Sequence, residues 1–135
     1  MPLDLTPLEN AVARLREGLA RSAAEPADGQ LRDGLIQRFQ RTYEWSHKML
    51  KRHLEQSAAN PQAYDTADFQ YLIRSASEQG LLLSDWPVWR RFRELRGKTS
   101  HTYDEAVARD VAAEIPSFME EAAHLLNALQ ARNRS

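Results

Sequence analysis

The sequence predicts an all-α protein, an antiparallel bundle of four main helices, two of them long, with additional short ones. Apolar residues recur every three or four positions along nearly the whole chain, which is the period of amphipathic helices. No segment alternates apolar and polar residues in the way that marks a half-buried strand. The 135 residues, 42% hydrophobic and 27% charged, therefore suit one globular domain, residues 1–135, with its own core.

The first two predicted helices are separated by a break near residue 26. Thr6 is a suitable N-cap for the first helix, with Pro7 at the first helical position. The apolar stripe of this helix consists of Leu8, Val12, Leu15 and Leu19. After Pro26, a longer helix is expected from about residue 28 to 56, roughly 40 Å at 1.5 Å per residue.

Two shorter helices are predicted next. Pro61 closes the long helix, because a proline disfavours helical conformation at the residue before it. Asp65 or Thr66 is expected to cap the third helix, and Gly80 to follow its last turn. Ser84 and Asp85 are the expected caps of the fourth.

The last predicted helix is long and begins close to several polar residues. Gly97 is expected to end the fourth helix, and Thr102 and Glu105 match the spacing of a capping box for the fifth. His101 would then lie just outside a helix start, and Tyr103 in the first helical turn.

Composition and the chain start exclude several classes of protein. Without cysteines there can be no disulfide, thiolate metal site or cysteine nucleophile, which suits the reducing cytoplasm. The first residues lack the basic and apolar regions of a signal peptide, and no window approaches the ~20 apolar residues of a membrane span. We therefore expect a cytoplasmic protein with no membrane association and no cofactor. A net charge of −1 means that any nucleic-acid site must be local.

The main candidate site lies in the segment RGKTSHTYDE, residues 96–105, and consists of Arg96, His101 and Tyr103. The expected helix start offers unpaired N–H groups and a positive dipole end, which favour phosphate. Arginine is a forked, permanently charged phosphate donor, and histidine exchanges protons near neutral pH. These residue types suit phosphodiester chemistry without a metal. The alternative is a surface arginine and a histidine beside a helix cap, which fits the same short spacing.

A run of basic residues precedes this segment. It contains Arg90, Arg91, Arg93, Arg96 and Lys98. One interpretation is a local phosphate-binding track that leads to His101 and is formed mainly by Arg90, Arg93 and Lys98. The alternative is a solvated helix face whose charges are balanced elsewhere.

The long second helix carries further polar residues. His47 and His53 are six positions apart, so they do not share a face as zinc ligands four apart would, and we interpret them as core or interface residues. Glu44 and Lys48 are spaced as an ordinary ion pair. Trp45 lies off the apolar stripe, which indicates a second buried face such as a dimer contact.

These segments together resemble a known family. RGKTSHTYDE is similar to the RNxTSHTYDE signature of HEPN-domain proteins encoded beside minimal nucleotidyltransferases, which are also called nucleotidyltransferase substrate-binding proteins. The segments LTPLENAVARL, IQRFQRTYEWSHKMLKRHLE, SEQGLL and EIPSF agree with that family in order, so the resemblance covers most of the chain.

The resemblance implies a homodimer of helical bundles in which the two R-x4-H segments face each other. It also implies a toxin–antitoxin module, in which this protein is the toxin, a metal-independent endoribonuclease, and a partner nucleotidyltransferase neutralises it by transferring AMP to a tyrosine. By position, Arg96 and His101 would be the catalytic pair and Tyr103 the AMP acceptor.

The sequence departs from the family pattern at Gly97, where a polar residue, often asparagine, is usual. Two alternatives to a ribonuclease therefore stay open. The protein could be a non-catalytic subunit that presents a nucleotide or acceptor to a nucleotidyltransferase, or a plain helical interaction module.

Overall fold

The computed structural model describes residues 2–64 and 68–134. These residues form five α-helices and two short 3-10 turns, and within the described ranges there is no strand. The helices are α1 (Thr6–Ala24), α2 (Gly29–Ser57), α3 (Phe69–Glu78), α4 (Trp86–Lys98) and α5 (Glu105–Asn133). The 3-10 turns are Pro61–Tyr64, between α2 and α3, and Thr99–His101, between α4 and α5. The all-α prediction is confirmed.

Helices α1 and α2 pack against each other in opposite directions. The Thr42 hydroxyl of α2 donates to the Ala11 carbonyl of α1 at 3.2 Å, and Arg38, one turn earlier in α2, donates to Arg14, one turn later in α1. Small residues between the helices allow this close approach, and Gly18 is one of them, because an added Cβ would lie 3.1 Å from the Arg38 side chain.

Helix α5 also runs opposite to α1, so α2 and α5 run in the same direction. The Asn133 side chain accepts from the Leu3 amide at 3.1 Å, and Gln130 donates to Glu9 at 3.2 Å.

Among the helices of the described ranges, none combines the length and the hydropathy that a membrane span requires.

Aspartates cap four of the five helices. The capping residues are Asp28, Asp68, Asp85 and Asp104. The expected cap at Thr6 is wrong by one residue, because Leu5 holds the N-cap position and the Asp4 carboxylate accepts from the Thr6 amide at 3.0 Å. The caps expected at residues 65 and 66 lie outside the described residues. Gly80 follows the end of α3 with φ of 75°, as predicted, a conformation that favours glycine.

An aromatic cluster occupies the middle of the core and packs both α4 and α2 against α5. Phe118 of α5 meets Phe39 of α2 edge-on at 4.9 Å between ring centroids, and Phe92 of α4 at 5.2 Å. Trp89 packs within 6.1 Å of the same ring. Such edge-to-face contacts add to the burial of large rings. Phe118 thereby connects α4 to α2, and the last turn of α4 lies beside α2 through the contact of Arg96 with Glu44, where the candidate site lies.

Candidate active site

The 3-10 turn Thr99–His101, called the Thr99 turn below, connects α4 to the loop before α5. The Thr99 side chain is buried, and its hydroxyl makes three hydrogen bonds. It donates to the Arg96 carbonyl at 2.6 Å, and it accepts from Gln40 Nε2 at 2.7 Å and from the Arg96 guanidinium at 3.2 Å. One hydroxyl therefore joins the end of α4, the turn and the face of α2.

Arg96 is held from two sides. Its Nη2 binds the Glu44 carboxylate at 2.9 Å, and its Nη1 binds Thr99. The side chain remains 35% exposed, so the guanidinium is oriented but still reaches solvent. The ion pair predicted between Glu44 and Lys48 does not form. Instead, the Lys48 ammonium lies 4.8 Å from the centroid of the Trp45 ring.

His101 and Tyr103 follow Arg96 and Thr99 in the chain, and both are exposed. Tyr103 is 88% exposed, and its ring lies edge-on to the His101 imidazole at 6.2 Å between centroids. Within the described residues, neither side chain makes a hydrogen bond. Arg96 thus lies in the last turn of α4, His101 ends the Thr99 turn that follows, and Tyr103 lies beside the histidine.

The predicted start of α5 is wrong in two respects. Asp104 caps the helix by accepting from the amides of Ala106 and Val107, whereas Thr102 donates its hydroxyl to the Thr99 carbonyl. The reason is the additional Thr99 turn, which delays the helix start by two residues. Tyr103 consequently lies before the cap and outside the first helical turn.

Gly97 also has a different role from the predicted one. α4 continues to Lys98, and Gly97 lies in its last turn rather than in a terminating left-handed conformation. An added Cβ at Gly97 would meet nothing within 4 Å. The position therefore accepts a side chain without steric conflict.

A surface cavity of about 350 Å³ adjoins the turn. It lies between α2 and the loop before α5. Its lining includes Asp33, Gln37, Gln40, Thr99 and Tyr103. A cavity of this volume is within the range of small-molecule sites, and its polar lining offers hydrogen-bond donors and acceptors beside the tyrosine hydroxyl.

The predicted phosphate-binding residues lie on exposed parts of α4, but they differ in their partners. Arg90 pairs with Glu94 at 3.4 Å, and Arg91 pairs with Glu114. Arg93 and Lys98 are exposed, and within the described ranges no carboxylate lies within 4 Å of either. The structure therefore leaves Arg93 and Lys98 available, whereas Arg90 is already engaged in a surface ion pair.

The positive charge of Arg93 affects the pKa values of two side chains of α2, Tyr43 and His47. Burial raises the pKa of Tyr43 to about 12, although the nearby Arg93 and Arg96 guanidiniums favour its ionised form. Burial also lowers the pKa of His47, and the positive charges of Lys51 and Arg93 lower it further. His47 is half-buried and packs edge-on against Phe69, which agrees with the predicted core or interface position.

His53 does not join the site either. Burial, with the charge of Arg132, lowers the pKa of His53, which packs at the other end of α2. Within the described part of the chain, no group of three or more histidine, aspartate and glutamate side chains is arranged to hold a metal ion.

Sequence reasoning missed three site residues: Gln40, Glu44 and Thr99. The first two lie one helical turn apart on α2, on a polar strip between its buried stripe and its outer face. That spacing was visible in the sequence, but their partners in α4 and the Thr99 turn are more than fifty residues away. Only the packing of α4 against α2 identifies them.

Known proteins are similar to this chain over most of its length. Residues 3–131 match the sequence model of the family described as "Nucleotidyltransferase substrate binding protein like". A protein of Haemophilus influenzae named "Probable ribonuclease HepT" is 41% identical over 101 residues, which cover 75% of this chain and 68% of that protein.

Solved structures agree with the sequence comparison. A structure from Haemophilus influenzae, described as the fold of a substrate-binding domain of a nucleotidyltransferase, superposes with a TM-score of 0.89 at 32% identity and covers 94% of this chain and 99% of that one. A structure from Thermus thermophilus gives a TM-score of 0.69 at 29% identity, covering 95% and 99%. The chain belongs to the HEPN family of nucleotidyltransferase substrate-binding-like proteins.

Proposed function

We propose that this protein is an endoribonuclease toxin that cleaves RNA with Arg96 and His101. The observation that supports this most is the Thr99 turn, which holds the guanidinium of Arg96 and leaves the imidazole of His101 open to solvent. The name of the Haemophilus influenzae relative, a probable ribonuclease, favours the same activity. The RNA that such a toxin cuts is cytoplasmic, so we expect the protein in the cytoplasm.

The chemistry follows from the two residue types. A base removes the proton of a ribose 2′-hydroxyl, the O2′–P bond forms, and the P–O5′ bond breaks as an acid protonates the leaving oxygen. The products are a 2′,3′-cyclic phosphate and a 5′-hydroxyl. One chain offers one suitable histidine, so we propose a two-fold dimer in which two copies of His101 face each other, one as base and one as acid.

Arginine supplies the charge stabilisation in this scheme. Arg96 uses two of its five N–H groups for Glu44 and Thr99, which leaves donors for the phosphate oxygens. Arg93 and Lys98, with Arg90 after release from its surface ion pair, would bind flanking phosphates. Binding through such contacts weakens as salt increases.

Cleavage of a labelled RNA in the presence of EDTA tests the proposal. His101→Ala should abolish cleavage while the circular dichroism spectrum and melting temperature stay unchanged, because the side chain is exposed and makes no hydrogen bond. Ser100→Ala is the matched control, since Ser100 lies in the same turn and loses only a surface hydrogen bond to the Gly97 carbonyl. A His101→Ala protein that still cuts RNA would refute the assignment.

A mixing experiment tests the shared site. If each cleavage needs the His101 side chains of two copies, dimers with one wild-type and one His101→Ala chain should be inactive. Wild-type activity should then fall steeply when excess variant is added and the chains exchange. Activity that is unaffected by the variant would contradict a site built from two chains.

We also propose that a partner nucleotidyltransferase neutralises the toxin by modifying Tyr103. The Tyr103 oxygen would attack the α-phosphorus of ATP held by the partner, with loss of pyrophosphate and transfer of the phenolic proton to a base of the partner or to water. The exposed hydroxyl beside a cavity of about 350 Å³ supports this, because the incoming AMP has room next to the tyrosine. The added negative charge would repel RNA phosphates from Arg96.

Intact-mass measurement after co-expression with the neighbouring nucleotidyltransferase tests the modification. Tyr103→Phe should lack the AMP adduct and resist neutralisation. Tyr71→Phe is the matched control, because Tyr71 is the other strongly exposed tyrosine, at 48%. An adduct that persists in Tyr103→Phe, or neutralisation without an adduct, would refute this part of the proposal.

A second candidate function is a non-catalytic binding subunit of a nucleotidyltransferase. Gly97 favours it, because no polar side chain stands where the family usually has one. The description of the Haemophilus influenzae structure as a substrate-binding domain also favours it. Absence of cleavage in EDTA, combined with nucleotide binding that Arg96→Ala abolishes, would select this candidate over the ribonuclease.

A further inference from the structure

A groove runs between the outer faces of α1 and α2. On α2 it lies on the face that adjoins the one directed at the Thr99 turn. Its main part is a cavity of about 400 Å³ whose lining includes Asn10, Arg14, Arg38, Arg41 and Trp45. A smaller cavity of about 60 Å³, which also contacts Arg38, continues it. These two cavities are called the α1–α2 groove.

The charge of the groove is one-sided. The residues that line the two cavities include four arginines, namely Arg14, Arg21, Arg38 and Arg41, and not one aspartate or glutamate. The whole chain has a net charge of −1. Positive charge is therefore concentrated on this face, and a surface of one sign attracts ligands of the opposite sign.

The guanidiniums are positioned and available. Arg38 donates to the Arg14 carbonyl at 2.8 Å, which fixes its side chain across α1. No carboxylate of residues 2–64 or 68–134 lies within 4 Å of Arg14 or Arg41. Guanidiniums without a carboxylate partner are suited to bind phosphate.

An aromatic ring lies at one end of the groove. Trp45 is half-buried and lines the cavity, and the Lys48 ammonium lies 4.8 Å from its ring centroid. Aromatic rings beside positive charges are the combination by which proteins bind single-stranded nucleic acid, since a base stacks on the ring and phosphates bind the cations.

The length of the groove indicates a strand rather than one nucleotide. On α2 it extends from Gln30 to Trp45, about 22 Å at the rise of an α-helix. Glu44, the neighbour of Trp45, contacts Arg96 of the candidate active site. A strand that leaves the Thr99 turn can therefore cross α2 and enter the groove.

We propose that the α1–α2 groove binds the single-stranded RNA that flanks the cleaved phosphate. Arg14, Arg38 and Arg41 bind its phosphates, and one base stacks on Trp45. The choice of RNA as the ligand rests on the proposed function, but the groove does not take part in cleavage. Its contribution is affinity for substrates that extend beyond the active site.

Fluorescence anisotropy with a labelled 2′-O-methyl RNA of about 12 nucleotides tests the groove without cleavage. The double variant Arg14→Gln/Arg41→Gln should bind at least tenfold more weakly, and the slope of log K against log salt should decrease by about 1.4. The matched control is Arg16→Gln/Arg74→Gln, which removes the same charge from exposed positions outside the groove and should bind as the wild type does. Equal weakening in both double variants would mean a general charge effect and would overturn the proposal.

Two further measurements identify what occupies the groove. Trp45→Ala should weaken binding about 5- to 100-fold, whereas Trp45→Phe should retain most of it, because stacking survives in a smaller ring. An RNA of about 4 nucleotides and free AMP should bind the wild type far more weakly than the longer RNA. Equal affinity for AMP would indicate a mononucleotide site, and a groove variant that dissociates a dimer in sedimentation would indicate a second copy as the occupant. Either result would overturn the proposal.

The test separates this inference from the proposed function. If the wild-type protein cuts no RNA, but the uncleavable RNA binds through the groove, the cleavage proposal fails and the groove remains. If RNA is cut and the groove variants match the control in affinity and KM, the groove proposal fails and cleavage remains.

Discussion

Replacement of Thr99 by valine tests whether one buried hydroxyl positions the candidate active site. Valine has nearly the same shape as threonine, so the change removes the hydroxyl without opening a cavity. Three hydrogen bonds are lost, one to the Arg96 carbonyl and one each from Gln40 and the Arg96 guanidinium. The expected result is a folded protein whose turn is no longer fixed to α2 and whose Arg96 keeps its ion pair with Glu44 but loses its hydrogen bond to the turn.

The energetic cost can be estimated from the burial of the partners. A hydrogen bond contributes about 0.5–1.5 kcal/mol to stability, and Gln40 and Arg96 are only half-buried, so their donors can turn to water. We therefore expect a loss of about 2 kcal/mol in the free energy of unfolding. For a chain of this length that lowers the melting temperature by about 5 to 10 °C.

The effect on cleavage should be larger than the effect on stability. A displacement of about 1 Å between reacting groups can cost ~100-fold in rate, so kcat/KM for RNA cleavage should fall by about that factor. Thr99→Ser keeps the hydroxyl and should restore nearly all of the activity, and Ser100→Ala should behave as the wild type does. A Thr99→Val protein that melts lower but cuts RNA at the wild-type rate would refute the positioning argument.

Three further changes probe the surroundings of the turn. Glu44→Gln removes the carboxylate that competes with RNA for Arg96, so uncleavable RNA should bind about 2- to 5-fold more tightly, with less than about 1 kcal/mol lost in stability because the pair is half-exposed. Weaker RNA binding would mean that Glu44 mainly orients the arginine. Gly97→Asn should leave the melting temperature unchanged or slightly raised, since the added Cβ meets nothing within 4 Å, and should raise cleavage if a polar group supports the site. NMR titration of His47 should give a midpoint below the ordinary 6.5, and the stabilisation from the neutral ring should be lost as pH falls below 6.5 through the lowered pKa. A midpoint at or above 6.5 would contradict the burial argument.

The helices could be predicted from the sequence because each signal is local. The apolar stripes, the cap at Asp85 and the glycine after α3 act within a few residues, so spacing alone was sufficient. The start of α5 could not be predicted in the same way. The segment between α4 and α5 contains two plausible caps, Thr102 and Asp104, and the choice depends on the Thr99 turn that precedes them.

The candidate site was predicted in its exposed residues and missed in its supporting ones. Arg96, His101 and Tyr103 lie within one short segment, so their proximity follows from the sequence. Gln40 and Glu44 join them only because Phe118 of α5 packs against both α2 and α4. Local sequence therefore indicates which groups can react, whereas long-range packing decides how they are held.

Helix α2 contributes residues to both proposed surfaces, because consecutive positions of a helix face different directions. Gln40 and Glu44, four residues apart, face the Thr99 turn, whereas Arg41 and Trp45, one position later each, face the α1–α2 groove. One position is a rotation of about 100° around a helix, so the two pairs lie on adjoining faces of the same two turns. The core side of α2 is fixed by its buried stripe, which holds the two faces in one relative position. Under the two proposals, a single packed helix would set the distance between the cleaved phosphate and its flanking strand, and this predicts that substrate length affects KM more than kcat.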